Sequence, residues 1–107
     1  MGYMVVTIWF PPHKGAEVGK KAIEIMKKFP EDKSIGKTIL NGALMRTELG
    51  IKGITITDIK DGQLEAAFDR ANAMLQVYSE IEGLNSTIET MASLAESLEM
   101  VGLKAPE

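Results

Sequence analysis

The chain has 107 residues, with 12 Lys and Arg against 15 Asp and Glu, 45% hydrophobic residues and no cysteine. The length suits a single domain with its own core, and the lack of cysteine excludes disulfides, thiolate zinc sites and a cysteine nucleophile. The net charge of -3 argues against nucleic acid as a partner, and no apolar stretch approaches the roughly 20 residues that span a bilayer. We therefore expect one cytoplasmic domain over residues 1–107, with neither a nucleic-acid nor a membrane partner.

The first predicted element is a strand over residues 3–10, which are rich in β-branched and aromatic side chains. Pro11 and Pro12 end it, because proline cannot continue a strand ladder. Side chains on both faces of this strand are mostly apolar, from Met4 to Phe10 on one face and from Tyr3 to Trp9 on the other. This pattern is typical of a strand that is covered on both sides.

Residues 14–29 carry apolar side chains at helical spacing and predict the first helix, which Pro30 ends. A second strand follows over residues 35–48, with Asn41-Gly42 in its middle. Asn-Gly favours a two-residue hairpin turn, but a glycine-bearing bulge leaves one strand of ordinary length. We favour the bulge, and the hairpin turn is the alternative.

The remaining elements follow from the same two periodicities. Leu49-Gly50 predicts a turn, and the alternating residues 51–60 predict the third strand. Residues 63–82 have an apolar stripe at helical spacing, which predicts a long helix that ends at Gly83. Residues 84–91 predict a short fourth strand, and residues 92–101 a terminal helix.

The resulting order, β-α-β-β-α-β plus a terminal helix, predicts a ferredoxin-like α+β fold. In this fold, an antiparallel four-stranded sheet carries two helices on one face. The other face would expose Tyr3, Val5, Trp9 and Ile51, or their equivalents. Because contiguous apolar surfaces mark interfaces, and two-fold pairs are the commonest oligomers, we expect a homodimer through this sheet face.

In these features the chain resembles the dimeric alpha/beta-barrel superfamily. The resemblance extends from Tyr3 to Leu103 and rests on the element order, the two-sided first strand and the closing stretch from Leu94 to Leu103. The superfamily includes cofactor-independent monooxygenases of quinone-like aromatics, muconolactone-isomerase-like enzymes and haem-binding proteins. The chain is most similar to the small uncharacterised members, so the resemblance implies a dimer with a cavity but carries over no catalytic residue.

Candidate site residues come from the strands and the first loop. We expect Tyr3, Thr7 and Trp9 on strand one, with Thr55 and Thr57 on strand three, to line an apolar pocket between or beside the sheets. These side chains could instead serve only interface packing or face solvent.

The single histidine, His13, is the best candidate for a reactive group, either as a general base or as a ligand of a metal or the axial ligand of a haem. A solvated loop histidine is the simpler interpretation, because neither a second histidine nor a cysteine accompanies it. We therefore expect no metal and no cofactor.

Four charged strand residues, Arg46, Glu48, Asp58 and Glu89, could also project inward, although solvated edge charges are more usual. The leading function is a protein that binds a small hydrophobic or aromatic molecule, with or without catalysis. The alternative is a non-enzymatic ligand sensor or assembly domain.

Overall fold

A computed structural model describes residues 2–106. The strands are β1 (Gly2–Phe10), β2 (Gly36–Thr47), β3 (Gly50–Ile59) and β4 (Asn85–Ala92), and the helices are α1 (Gly15–Lys28), α2 (Leu64–Val77) and α3 (Leu94–Met100). Short 3-10 helices, Pro12–Lys14 and Tyr78–Glu80, precede α1 and follow α2. Each predicted element is therefore present.

The four strands form one antiparallel sheet in the order β2-β3-β1-β4. This order places the first and third strands at the centre and fits the ferredoxin-like α+β fold, as predicted. None of the helices among residues 2–106 combines the length and apolar character needed to cross a membrane.

The interruption at Asn41-Gly42 is an irregularity within one strand. The pairing of β2 with β3 shifts register between Thr38 and Leu40 and again between Leu40 and Ala43, while the strand continues to Thr47. Gly42 has a φ of 65°, which glycine adopts without steric cost. The predicted bulge is confirmed, and the hairpin-turn alternative is wrong.

Helix α2 is shorter than predicted. It ends at Val77, and the chain tightens into a 3-10 turn in which the Tyr78 N–H bonds to the Leu75 carbonyl. The Ser79 hydroxyl donates to the Gln76 carbonyl at 2.6 Å, which satisfies a terminal acceptor that the helix would otherwise use. A hydroxyl that competes for backbone carbonyls explains the early end.

The core lies between the sheet and the helices, in two clusters. One joins Met4 and Ile59 to the alanines of α2, Ala67 and Ala71. The other joins Phe10 to Val18 of α1 and to Ile81. The even-numbered residues of β1 therefore face the helices.

The odd-numbered residues of β1 lie on the opposite face, which we call the open face. Register pairs Val5 with Ile56 and Thr7 with Ile54, so these isoleucines share that face. The prediction that Ile51 lies there is wrong. Ile51 pairs with Phe10, and residues that pair across two strands share one face of the sheet. Ile51 therefore lies under the helices, where it packs against the second core cluster.

Candidate functional site

A cleft runs between α1, α2 and the β2-β3 half of the sheet. It contains two adjoining cavities, of about 330 Å³ and about 440 Å³. They share seven lining residues: Val6, Ile25, Met26, Asn41, Thr55, Ala71 and Met74. We call the first the loop-end cavity, because Phe29 to Asp32 of the α1-β2 loop line it, and the second the tyrosine-end cavity, because Tyr78 lines it.

Small residues keep the cleft open. Gly15, Gly19 and Ala22 follow one another at helical spacing on α1 and line the tyrosine-end cavity. A Cβ added at Gly15 or Gly19 would meet no other atom within 4 Å. Across the cleft, Gly42 and Gly53 line the same cavity from the sheet. Because glycine and alanine project almost nothing, the helix and sheet leave space between them.

Thr55 ties the bulge of β2 to the floor of the cleft. Its Oγ1 accepts a hydrogen bond from the Gly42 backbone N–H at 3.1 Å. The acceptor capacity of a hydroxyl leaves its own hydrogen available to donate. Thr57 lines only the loop-end cavity, and its methyl carbon lies toward Gly36 of β2. Within residues 2–106, the hydroxyl of Thr57 has no hydrogen-bond partner.

The mouth of the loop-end cavity carries two carboxylates. Glu31 accepts a hydrogen bond from the Thr38 backbone N–H at 2.9 Å, which lowers the pKa of Glu31. Asp32 accepts hydrogen bonds from the Ser34 hydroxyl and backbone N–H, and these lower the pKa of Asp32. Both carboxylates are therefore ionised at neutral pH.

Arg70 joins α2 to the same mouth. Its Nη2 donates to the carbonyl oxygens of Phe29, at 3.0 Å, and of Pro30. The guanidinium also lies 5.9 Å from the centroid of the Phe29 ring, within the range of a cation–π interaction. Arg70 thereby fixes the end of α1 and the start of the loop that borders the cavity.

Tyr78 lines the far end of the cleft. Burial raises the pKa of Tyr78, so its phenol remains protonated at neutral pH. Tyr78 packs against the apolar cluster of Phe10, Val18 and Ile81, and Ile51 and Leu75 line the same cavity.

The five residues predicted to line one pocket lie on two faces of the sheet. Thr55 and Thr57 line the cleft, because register places them beside Val6 and Met4 on the helix-covered face. The odd-numbered residues Tyr3, Thr7 and Trp9 lie on the open face.

The open-face residues have their own contacts. Thr7 is 4% exposed, and the pairing register places it beside Ile54. Trp9 lies under the Lys52 ammonium, which is 5.7 Å from the ring centroid. The strand faces therefore separate the predicted set into a cleft pair and an open-face group.

His13 is exposed in the 3-10 helix that precedes α1. It does not line either of the two cavities, although Gly15 does. Within residues 2–106, no group of three or more His, Asp or Glu side chains could hold a metal ion.

The other charged candidates also lie outside the cleft. Arg46, Glu48 and Glu89 are exposed, and Asp58 is half-buried opposite Tyr3 on the open face. The charged residues that do line the cavity, Glu31, Asp32 and Arg70, were not predicted. Carboxylates in a loop have no periodic pattern that would predict them as site residues. The small residues Gly15, Gly19 and Ala22 at helical spacing could have predicted the cleft itself.

No protein-family model matches the sequence, and no curated protein matches it. Among solved structures, the fold is similar to a formyltetrahydrofolate deformylase from Pseudomonas putida KT2440, with a TM-score of 0.46 and 6% identity. The alignment covers 83% of this chain and 28% of that chain. A similarity of this size identifies neither a family nor a function.

Proposed function

We propose that the protein binds a small hydrophobic molecule in the cleft between the sheet and the helices. The observation that carries this proposal is the pair of adjoining cavities, which fall in the volume range of small-molecule sites. Their walls are mainly apolar, with a few polar side chains such as Thr55, Thr57 and Asn41. This composition is usual for a pocket that binds by apolar contact and orients its ligand by hydrogen bonds.

The experiment fills the cleft from α1. Gly19→Phe places a ring in open space at the cavity wall, while Ala16→Phe places the same ring on the exposed face of the same helix. A thermal-shift panel of quinones, aromatic acids and octyl compounds supplies the ligands. At least one compound is expected to raise Tm of the natural protein and of Ala16→Phe. In Gly19→Phe its affinity should fall by about tenfold or more.

If none of the panel changes Tm, or if Gly19→Phe binds as well as Ala16→Phe, the proposal is wrong. Tryptophan emission is not a suitable readout for this site, because the single tryptophan, Trp9, lies on the open face. A ligand in the cleft is expected to leave the emission of Trp9 unchanged.

The assembly we propose is a homodimer through the open face, as in the dimeric alpha/beta-barrel superfamily that the sequence resembles. The chain exposes 7321 Å², whereas a compact monomer of 11.7 kDa exposes about 5,900 Å². A standard interface removes about 800 Å² from each partner. The excess surface is therefore large enough to supply one.

A protein that binds a small molecule in this cleft can be an enzyme that converts the molecule or a sensor that only binds it. The cleft supports the sensor at least as well, since the charged side chains that line it are held in structural roles. Arg70 binds backbone carbonyls, and Glu31 accepts from the backbone of Thr38. Turnover of a compound that binds in the panel, measured by mass spectrometry, separates the enzyme from the sensor.

A further inference from the structure

Polar groups are distributed unevenly along the cleft. The loop-end cavity includes every charged side chain that lines either cavity: Glu31, Asp32 and Arg70. The tyrosine-end cavity is lined by apolar residues apart from Tyr78 and the shared Asn41 and Thr55. A molecule that occupies both cavities therefore contacts polar and charged side chains at the loop end and mainly apolar side chains at the tyrosine end.

We infer that the cleft takes an uncharged amphipathic molecule, with its apolar body in the tyrosine-end cavity and a hydroxyl or carbonyl oxygen against Thr55 and Thr57. This inference rests on the proposed function and adds the chemical class and the orientation of the ligand. Two observations support it. Two threonine hydroxyls face the cleft, and every charged side chain that lines the cleft already makes hydrogen bonds within the protein.

The threonine hydroxyls supply the polar contact. Thr55 accepts from Gly42 and retains its hydrogen for donation, and Thr57 has no hydrogen-bond partner within residues 2–106. Both are half-buried on neighbouring positions of the same face of β3. The Thr57 hydroxyl is not itself buried, because every buried side-chain oxygen and nitrogen among residues 2–106 has a hydrogen-bond partner. A ligand oxygen can therefore reach it and take the place of water.

The charged side chains do not offer a counter-ion at that depth. Arg70 donates to the carbonyls of Phe29 and Pro30, and the exposed carboxylates of Glu31 and Asp32 accept from the backbone of Thr38 and Ser34. Both signs occur at the mouth, so neither an anionic nor a cationic head is matched. A charged head that reached the threonines would be desolvated without a partner, which costs more than a neutral hydrogen bond returns.

The test compares three probes with one body and different heads: 1-octanol, octanoate and octylamine at pH 7, titrated by calorimetry into the full chain. The expected order has 1-octanol tightest, with both charged compounds roughly tenfold weaker. Thr57→Val keeps the shape and removes the hydroxyl. It should weaken 1-octanol by about three- to tenfold and leave octanoate and octylamine unchanged.

The matched control is Thr90→Val, which makes the same change on β4, at an exposed position outside both cavities. It should bind 1-octanol as the natural protein does, and circular dichroism should show both variants folded. Tighter or equal binding of either charged compound overturns the inference, as does an unchanged affinity for 1-octanol in Thr57→Val. If no octyl compound binds but another panel member does, the inference fails while the proposed function stands.

Discussion

Two glycines in ordinary backbone conformations have opposite roles. Gly36 begins β2 and is buried, and a Cβ built there would lie 2.4 Å from the backbone oxygen of Asp58. Gly19 lies inside α1, where an added Cβ would meet nothing within 4 Å. One glycine allows a close approach of two strands, and the other leaves the cleft open at the expense of helix stability.

These environments predict opposite effects for the same substitution. Gly36→Ala should lower the free energy of unfolding by about 1–3 kcal/mol, because a backbone oxygen cannot give way without moving β3. Gly19→Ala should raise it by about 0.5–1 kcal/mol, because alanine is the better helix former. Urea unfolding of both variants beside the natural protein measures the difference, and changes of the same sign would contradict the geometry.

At the scale of elements, Arg70 links the end of α1 to α2. The helix ends at Lys28, where Phe29 and Pro30 leave carbonyl oxygens that no further helical turn can satisfy. The guanidinium reaches both oxygens from α2 and lies beside the Phe29 ring. A charged donor from a second helix thus replaces the missing turn and holds the border of the loop-end cavity.

We expect Arg70→Ala to lower the free energy of unfolding by about 2 kcal/mol, the usual contribution of hydrogen bonds from a charged donor. Arg46→Ala is the matched control, since Arg46 is exposed on the edge strand β2 and should change stability by less than about 0.5 kcal/mol. Urea unfolding measures both. Equal effects would show that the contacts of Arg70 with the loop contribute nothing particular.

At the scale of the whole molecule, the chain buries little for its hydrophobic content. Its radius of gyration is 15.4 Å, against about 13 Å for a compact domain of this length. Among residues 2–106, thirteen large hydrophobic side chains are exposed. Two of them, Met45 and Met91, lie on the open face, where they pair with Lys52 and Tyr3. The body is flat, 19 Å in its smallest dimension, and α1 and α2 both pack on the face formed by the even-numbered residues of β1. A second copy would supply a layer on the open face.

We therefore expect Ile54→Glu to shift the protein from dimer to monomer in sedimentation velocity, because it places a charge at the centre of the open face. Trp9→Ala should weaken the dimer in the same direction by removing aromatic contact area. Leu49→Glu is the control, since Leu49 is 81% exposed in the β2-β3 turn. Unchanged sedimentation of both open-face variants would refute the assembly.

Much of the fold could be predicted from the sequence because short-range chemistry specifies it. Periods of two and 3.6 located the strands and helices, and Pro30 marked the end of α1. The bulge followed from a glycine inside a strand pattern. The early end of α2 did not, because it depends on a bond between the Ser79 hydroxyl and the Gln76 carbonyl, for which period alone gives no sign.

The candidate site depended on information that is absent from any single strand. Alternation shows that Thr7 and Trp9 share one face, and that Thr55 and Thr57 share one, but only the pairing of β1 with β3 decides whether those faces coincide. They do not. Likewise the polar mouth of the cleft unites Glu31 with Arg70, 39 positions apart in the chain, which no local pattern brings together. The sequence by itself determined the α+β fold, its element order and an excess of apolar residues, because these follow from local periodicity and composition. The tertiary structure alone decided which threonines border the cleft and which lie on the open face, because strand register and helix placement are set by contacts between distant parts of the chain.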